Sequence, residues 1–262
     1  VKWTFLPGSI HWLVAILAAF AAGGLWAVIP GVMKAYLNVN EVISSIMMNY
    51  IGMYLVNYSV SLVLFDALRN QSLPVASTAV IPKMGFDKIF TGSPANGGFV
   101  IAILFVILIY IILNKTSFGY EMKACGFNKD ASKYAGINEK RNIILSMVIA
   151  GALAGVGGGL LYLSGSGKFI EVVDVLPAEG FNGIPVALLG LSNPIGVLFA
   201  GLFIAYLNVG GNAMQQFGFI PQIVDIIISC IIYCSALSLM IKVWLSKRRK
   251  TKELGTAKKE GE

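Results

Sequence analysis

The chain has 262 residues, of which 56% are hydrophobic and only 13% charged, with a formal net charge of +7 and a mean hydropathy of +0.76. Soluble domains carry about 25% charged residues, so these values exclude an ordinary water-soluble enzyme or binding module. Runs such as Phe99 to Leu113 and Ile143 to Leu163 hold no charge. Hydrocarbon admits only helices or closed barrels, because each unsatisfied backbone group costs several kcal/mol. The runs are too long and continuous for alternating barrel strands. The expected fold class is therefore all-α, a polytopic transmembrane helical bundle.

The first residue is Val, with no initiator or signal peptide before it, so the chain is expected to be the later part of a longer protein. Seven apolar segments follow in order: His11 to Ile29, Val42 to Phe65, Phe99 to Leu113, Ile143 to Leu163, Phe181 to Leu191, Ile195 to Leu207 and Ile223 to Trp244. The fifth and sixth fall short of the ~20 residues that cross a bilayer upright. They are expected to be tilted, extended by flanking residues or partly re-entrant. The domain division is a membrane domain over 1–246 and a basic tail over 247–262.

Orientation follows from Lys and Arg placement. The loop Asn114 to Asn142 carries Lys115, Lys123, Lys129, Lys133, Lys140 and Arg141, and the tail carries Lys247, Arg248, Arg249, Lys250, Lys252, Lys258 and Lys259. Both are expected to be cytoplasmic. Phe181 to Leu207 must then go in and come back, turning at Ser192-Asn193-Pro194. The positive charge serves orientation and anionic membrane lipid, and no nucleic-acid partner is expected.

The segment opening at Asn40 places Glu41, Ser45, Asn49 and Gly52 on one narrow helical stripe. Polar groups in hydrocarbon face a bundle interior or a water-filled path. The stripe reads either as a pathway lining or as a capped helix start followed by interhelical hydrogen bonds. Within the central loop, Asn128 is a good N-cap and Gly136 a good C′ residue, which frames a two-turn helix over Lys129 to Ala135. Ala131, Tyr134 and Ala135 share a small, knob-like face suited to a partner's groove; the alternative is a connector lying on the headgroups.

Gly151, Gly155 and Gly158 form a small face for close helix packing or for sliding. Asp225, one turn beyond Pro221, is expected at the outer end of the last helix, and the single histidine, His11, reads as interfacial. Cys125, Cys230 and Cys234 lack the spacing of a metal site or a disulfide framework and are expected to be packed free thiols. Gly165-Ser166-Gly167-Lys168 is not a phosphate loop, because Tyr162 and Phe169 stand where a Walker A motif needs Gly and Ser or Thr. No catalytic constellation can be assembled, and no metal or cofactor is expected on this chain.

Three stretches resemble one known family. Ile29-Pro30-Gly31-Val32-Met33-Lys34-Ala35 followed by Asn40 to Ile51 is similar to the signature of permease subunits of nucleoside-type ABC importers. So are Gly119-Tyr120-Glu121-Met122-Lys123-Ala124-Cys125-Gly126-Phe127-Asn128, running on to Ile137, and Gly180-Phe181-Asn182-Gly183-Ile184-Pro185 through Gly190 to Gly196. The last two stretches are shared with permeases for ribose, other simple sugars and branched-chain amino acids, and Asp130 departs from the neutral residue more usual there.

The resemblance implies a transmembrane subunit in the bacterial inner membrane. Its partners would be a second homologous permease, two cytoplasmic ATPase subunits that use the ATP, and an external substrate-binding lipoprotein. It makes Asn128, Lys129, Asp130, Ala131, Ser132, Tyr134, Ala135, Gly136 and Ile137 the element that couples to an ATPase subunit. Asn40, Glu41, Ser45, Asn49, Asn182 and Gly183 become candidate path residues. An ion-coupled carrier using Glu41 or Asp225 is the rival transporter reading; an intramembrane enzyme lacks the residues for its chemistry.

Overall fold

The computed structural model describes residues 8–85, 96–218, 220, 222–234 and 237. They divide into two units, Val1–Pro177 and Ala178–Glu262. The first contains α1 (Gly8–Leu37), α2 (Glu41–Val63), a hairpin of β1 (Phe65–Asp66) and β2 (Gln71–Ser72), α3 (Gly98–Lys115), α4 (Ser117–Phe127), α5 (Lys129–Tyr134) and α6 (Glu139–Leu163). The second contains α7 (Ala178–Leu189), α8 (Pro194–Met214) and α9 (Gln222–Cys234). Among the described residues, α1, α2, α3, α6 and α8 are long and apolar enough to cross a membrane, which makes this an all-α polytopic membrane protein.

The first unit is organised by the α1/α6 seam. In lipid, burying apolar surface gives no advantage between helices, so association depends on close packing, and small residues allow it. Ala19, Gly23, Ala27 and Gly31 recur every fourth residue on α1 and meet a matching row on α6. Ala19 faces Gly155 and Gly159, Gly23 faces Gly151 and Gly155, Ala27 faces Gly151, and Gly31 faces Ile144 and Met147. The numbering rises along one helix as it falls along the other, so the pair is antiparallel. A Cβ on Gly155 would collide with the Ala19 carbonyl, and one on Gly151 with Ala27 and the Gly23 carbonyl. The expected glycine face is corrected in one place: Gly158 looks into open space and Gly159 takes its position, because both helices present rows of fourth residues and Gly158 falls off that row.

Around the seam, Ile16, Ile81 and Val156 form a buried cluster against Trp12, Ile101, Phe105, Leu160 and Leu163. Phe20 stacks on Phe105 at 6.3 Å between centroids and so ties α3 to α1. α2 rests on α1 where Gly52 lies against the Trp26 indole. The two ends of the unit are distinct. At one, His11 Nδ1 is 3.0 Å from Thr78 Oγ1, Ile81 N–H donates to the Leu163 carbonyl, and the hairpin joins Ile170 through Ser72 N–H (2.8 Å). At the other, Lys34 pairs with Glu41 and the Lys140 ammonium stands 4.6 Å above the Tyr36 ring. The basic loop therefore shares an end with the α1–α2 turn. His11, read as interfacial, lies near the start of α1 and is buried beneath the loop at Thr78.

Several expected boundaries move. α1 does not stop at Ile29 but runs through Pro30 to Leu37. In a membrane helix the carbonyl freed by proline is accommodated by neighbours, and Gly31 keeps α6 within contact just beyond it. The helix ends where Asn38 turns to φ +52, a left-handed conformation that asparagine tolerates.

In the second unit the expected turn at Ser192-Asn193-Pro194 is present. Leu191 and Ser192 have positive φ, Asn193 caps α8 by accepting from Ile195 N–H at 3.0 Å, and Pro194 occupies its first turn. Gly190 and Gly196 approach so closely that a Cβ on either would strike the other's strand of backbone. The sixth segment is not short: α8 continues to Met214, 21 residues in all, and Gly211 in its last turn packs on Val224 of α9. The fifth is short. At 12 residues, α7 spans about 18 Å, less than the ~30 Å of hydrocarbon. Cys230 and Cys234, expected to be packed, are exposed on α9, whereas Cys125 is half-buried; Asp225 is exposed in the first turn of α9. The remainder of the last segment toward Trp244 and the basic tail lie outside the described residues, apart from Leu237.

Candidate functional site

The central loop folds as two short helices laid against the ends of α3 and α6. Thr116 caps α4 by accepting from Gly119 N–H at 3.1 Å. Gly119 is obligatory there, since a Cβ would enter the backbone of Ile112 and Leu113 at the end of α3. Asn128 ends α4 and caps α5, its Oδ1 accepting from Ala131 N–H at 3.0 Å. Gly136 leaves the helix at φ +79, the C′ conformation expected from its identity. The helix closes at Tyr134, so Ala135 is its C-cap and not its last turn.

The two faces of α5 differ. Ser132 is buried and accepts from the Cys125 thiol at 3.4 Å. Ala131, Tyr134 and Ala135 are exposed, Tyr134 at 94%. Ala131 and Ala135, together with α4, border an open groove of about 500 Å³, with Ser117, Tyr120, Ala124 and Phe127 on one side and Ala131, Ala135 and Ile137 on the other. Phe127 is 91% exposed. Tyr120, Phe127 and Tyr134 are thus large, exposed aromatic groups on two short, capped helices. Tyr120 and Phe127 lie in the Gly119 to Asn128 motif, yet their place on this groove was not assigned from sequence. The signal was an aromatic at each end of α4, on the only strongly basic loop.

The α2 stripe is divided by the structure. Asn40 Oδ1 accepts from Val42 N–H at 2.9 Å, so Asn40 is the helix cap. Glu41 is paired with Lys34 across the turn, a half-exposed contact of the kind that contributes about 0–1 kcal/mol. Ser45 is half-buried and Asn49 exposed, whereas Gly52 turns toward Trp26. The buried serine is Ser44, which donates to the Glu41 carbonyl at 3.2 Å. Asn182 and Gly183 are exposed in the first turns of α7, in the second unit.

A family model described as branched-chain amino acid transport system / permease component matches residues 2–236. The chain is 38% identical over 245 residues to the guanosine ABC transporter permease protein NupP of Bacillus subtilis, covering 93% of this chain and 70% of that one. It is 36% identical over 262 residues to the nucleoside ABC transporter permease protein NupB of Lactococcus lactis subsp. cremoris, covering 98% and 72%. The glucose ABC transporter permease protein TsgB13 of Haloferax volcanii is 31% identical over 235 residues, covering 87% and 61%. No solved structure matches the chain.

Proposed function

Because this chain belongs to the family of branched-chain amino acid transport system permease components, we propose that it forms the translocation path of an ATP-driven importer for nucleosides. It is a multi-pass protein of the bacterial plasma membrane and a transporter component, not an enzyme. The observation that carries the nucleoside assignment is that the relatives at 38% and 36% identity are both named for nucleoside transport. The path would be completed by a second, homologous permease, the cargo delivered by an external binding lipoprotein, and ATP hydrolysed by cytoplasmic ATPase subunits, with no cofactor held here. In this reading α5 and its flanks, Asn128 to Ile137, dock on an ATPase subunit, and the α4–α5 groove receives a ridge of that partner. Asn40, Glu41, Ser45, Asn49, Asn182 and Gly183 contribute polar groups to the path. A nucleoside is neutral and polar, and it needs hydrogen-bonding groups with no fixed countercharge; Glu41, engaged by Lys34, fits that requirement better than it fits an ion site.

The test is uptake of radiolabelled guanosine, adenosine, uridine, ribose and glucose in cells lacking this subunit and in cells with it restored. Nucleoside uptake should return with the subunit and fail on ATP depletion. The 31% relative named for glucose supports a sugar reading, and that reading wins if only ribose or glucose uptake depends on the subunit. Uptake that survives ATP depletion but collapses with an uncoupler would transfer the protein to the ion-coupled carriers.

Sidedness is testable separately. The Lys and Arg asymmetry places the 114–142 loop and the 247–262 tail in the cytoplasm, with the 1–246 membrane domain between outer and inner faces. In a variant with Cys125, Cys230 and Cys234 replaced, a membrane-impermeant thiol reagent should label a cysteine placed at Ser77 in intact cells and spare one placed at Thr256. The reverse labelling inverts the topology.

A further inference from the structure

We propose that Asn142 is a positioning residue for energy coupling, a buried α6 side chain that holds α4 and, through Cys125, seats α5 on the α1/α6 pair. The inference rests on the reading of α5 as the ATPase-docking helix.

Ser132 is the one buried residue of α5. Its hydroxyl accepts from the Cys125 thiol of α4 at 3.4 Å, and Cys125 sulfur accepts in turn from Asn142 Nδ2 at 3.8 Å. The same amide nitrogen donates to Glu121 Oε2 of α4 at 3.2 Å. Asn142 is 2% exposed, one turn into α6, where Asn138 caps the helix by accepting from Arg141 N–H. An –NH₂ group supplies two donors from one atom, and both are used to hold α4, so neither an acid nor an aliphatic residue of this size can replace it. Its Oδ1 is buried without a hydrogen-bond partner. A buried acceptor left in that state is costly, which marks a position where the donors matter more than the best stability. The other tie between α5 and α6, Lys129 to Glu139, is 3.9 Å long with Lys129 half-exposed, a surface pair of small effect.

Beyond Asn142, α6 meets α1 backbone to backbone through Gly151 and Gly155. A push on α5 that reaches α6 is therefore carried by α1 as well, because at Gly151 and Gly155 the contact is with main chain and a single alanine methyl, which cannot re-pack to absorb it. The yielding element is the polar bridge Ser132–Cys125–Asn142, and its stiffness sets how much of the ATPase movement reaches the membrane helices.

The experiment reads ATP hydrolysed per nucleoside imported, with the complete complex in proteoliposomes, its binding protein, and tritiated guanosine, adenosine and uridine. Asn142→Asp turns the donor into a second carboxylate beside Glu121 and should raise ATP consumed per nucleoside by roughly fivefold, the size expected for one coupled contact, while the complex still assembles. Adding Glu121→Gln restores a donor–acceptor pair with its polarity reversed, so the double variant should recover most of the coupling. A wild-type ratio in Asn142→Asp overturns the proposal. So does a loss of transport and ATPase activity in equal proportion to lost assembly that Glu121→Gln fails to rescue, because that pattern is structural only. Ala131→Trp is measured alongside. If it lowers stimulated ATP hydrolysis and ATPase co-purification while Asn142→Asp keeps the wild-type ratio, the Asn142 assignment alone fails; if it lowers neither, the docking role of α5 fails and takes the inference with it.

Discussion

Gly155→Val should leave almost no folded protein in the membrane. Any Cβ at 155 meets the carbonyl of Ala19, and the next nearest atoms are again main chain, at Ala19 and Gly23. Overpacking against side chains costs about 1–3 kcal/mol because rotamers can yield. Against main chain the whole helix must move, so the cost is expected at or above the top of that range, about 3 kcal/mol or more. Gly157→Val is the matched control: two residues away on the same helix, its Cβ would have nothing within 4 Å. Detergent-extracted protein followed by size-exclusion chromatography should give a monodisperse peak for Gly157→Val and aggregate for Gly155→Val. Equal peaks for the two would mean that α1 and α6 are not in glycine contact.

Ala131→Trp should abolish transport while leaving insertion intact. Ala131 is exposed on α5 and borders the groove shared with α4, so an indole there disturbs nothing inside the subunit and fills the space offered to a partner. An interface overpacked by about 1–3 kcal/mol is weakened by roughly 5- to 150-fold. Substrate-stimulated ATP hydrolysis should fall with transport, and co-purification of the ATPase subunit should weaken. Ala135→Trp, on the same side, should act in the same direction. Full stimulated activity in both variants would remove the docking assignment.

The membrane character, the helix at Lys129 and the turn at Asn193 were legible because each depends on a local signal: charge-free length, an Asn cap followed by a glycine exit, and an Asn-Pro start. The extent of α1 was not, because Pro30 is a stop signal in water and a tolerated residue in hydrocarbon, and the packing of Gly31 on Met147 and Ile144 just beyond it appears only in the folded pair. Gly158 was misplaced in favour of Gly159 because spacing along one helix cannot show where the row on its neighbour runs. The buried role of Asn142 was invisible for a related reason. Its partners Glu121 and Cys125 lie 21 and 17 residues earlier, and the hydrogen bonds exist only once α4 has folded back over the end of α6. The stripe on α2 was read as one surface, yet Gly52 faces α1 while Asn49 does not, since α2 makes its contact with α1 at the Trp26 ring.

The α1/α6 seam also sets a problem of timing during synthesis. About 100 residues separate the end of α1 from the start of α6, and a ribosome adding roughly 5 to 20 residues per second needs on the order of 5 to 20 s to make them. Throughout that interval the glycine row of α1 is in the bilayer or the insertion channel without its mate. Its main chain is then less shielded than that of any leucine-rich neighbour, and another small-faced helix could bind it in error. Slower translation between α1 and α6 should therefore lower the yield of correctly assembled permease, and supplying α6 early, by moving it upstream in a permuted gene, should raise it.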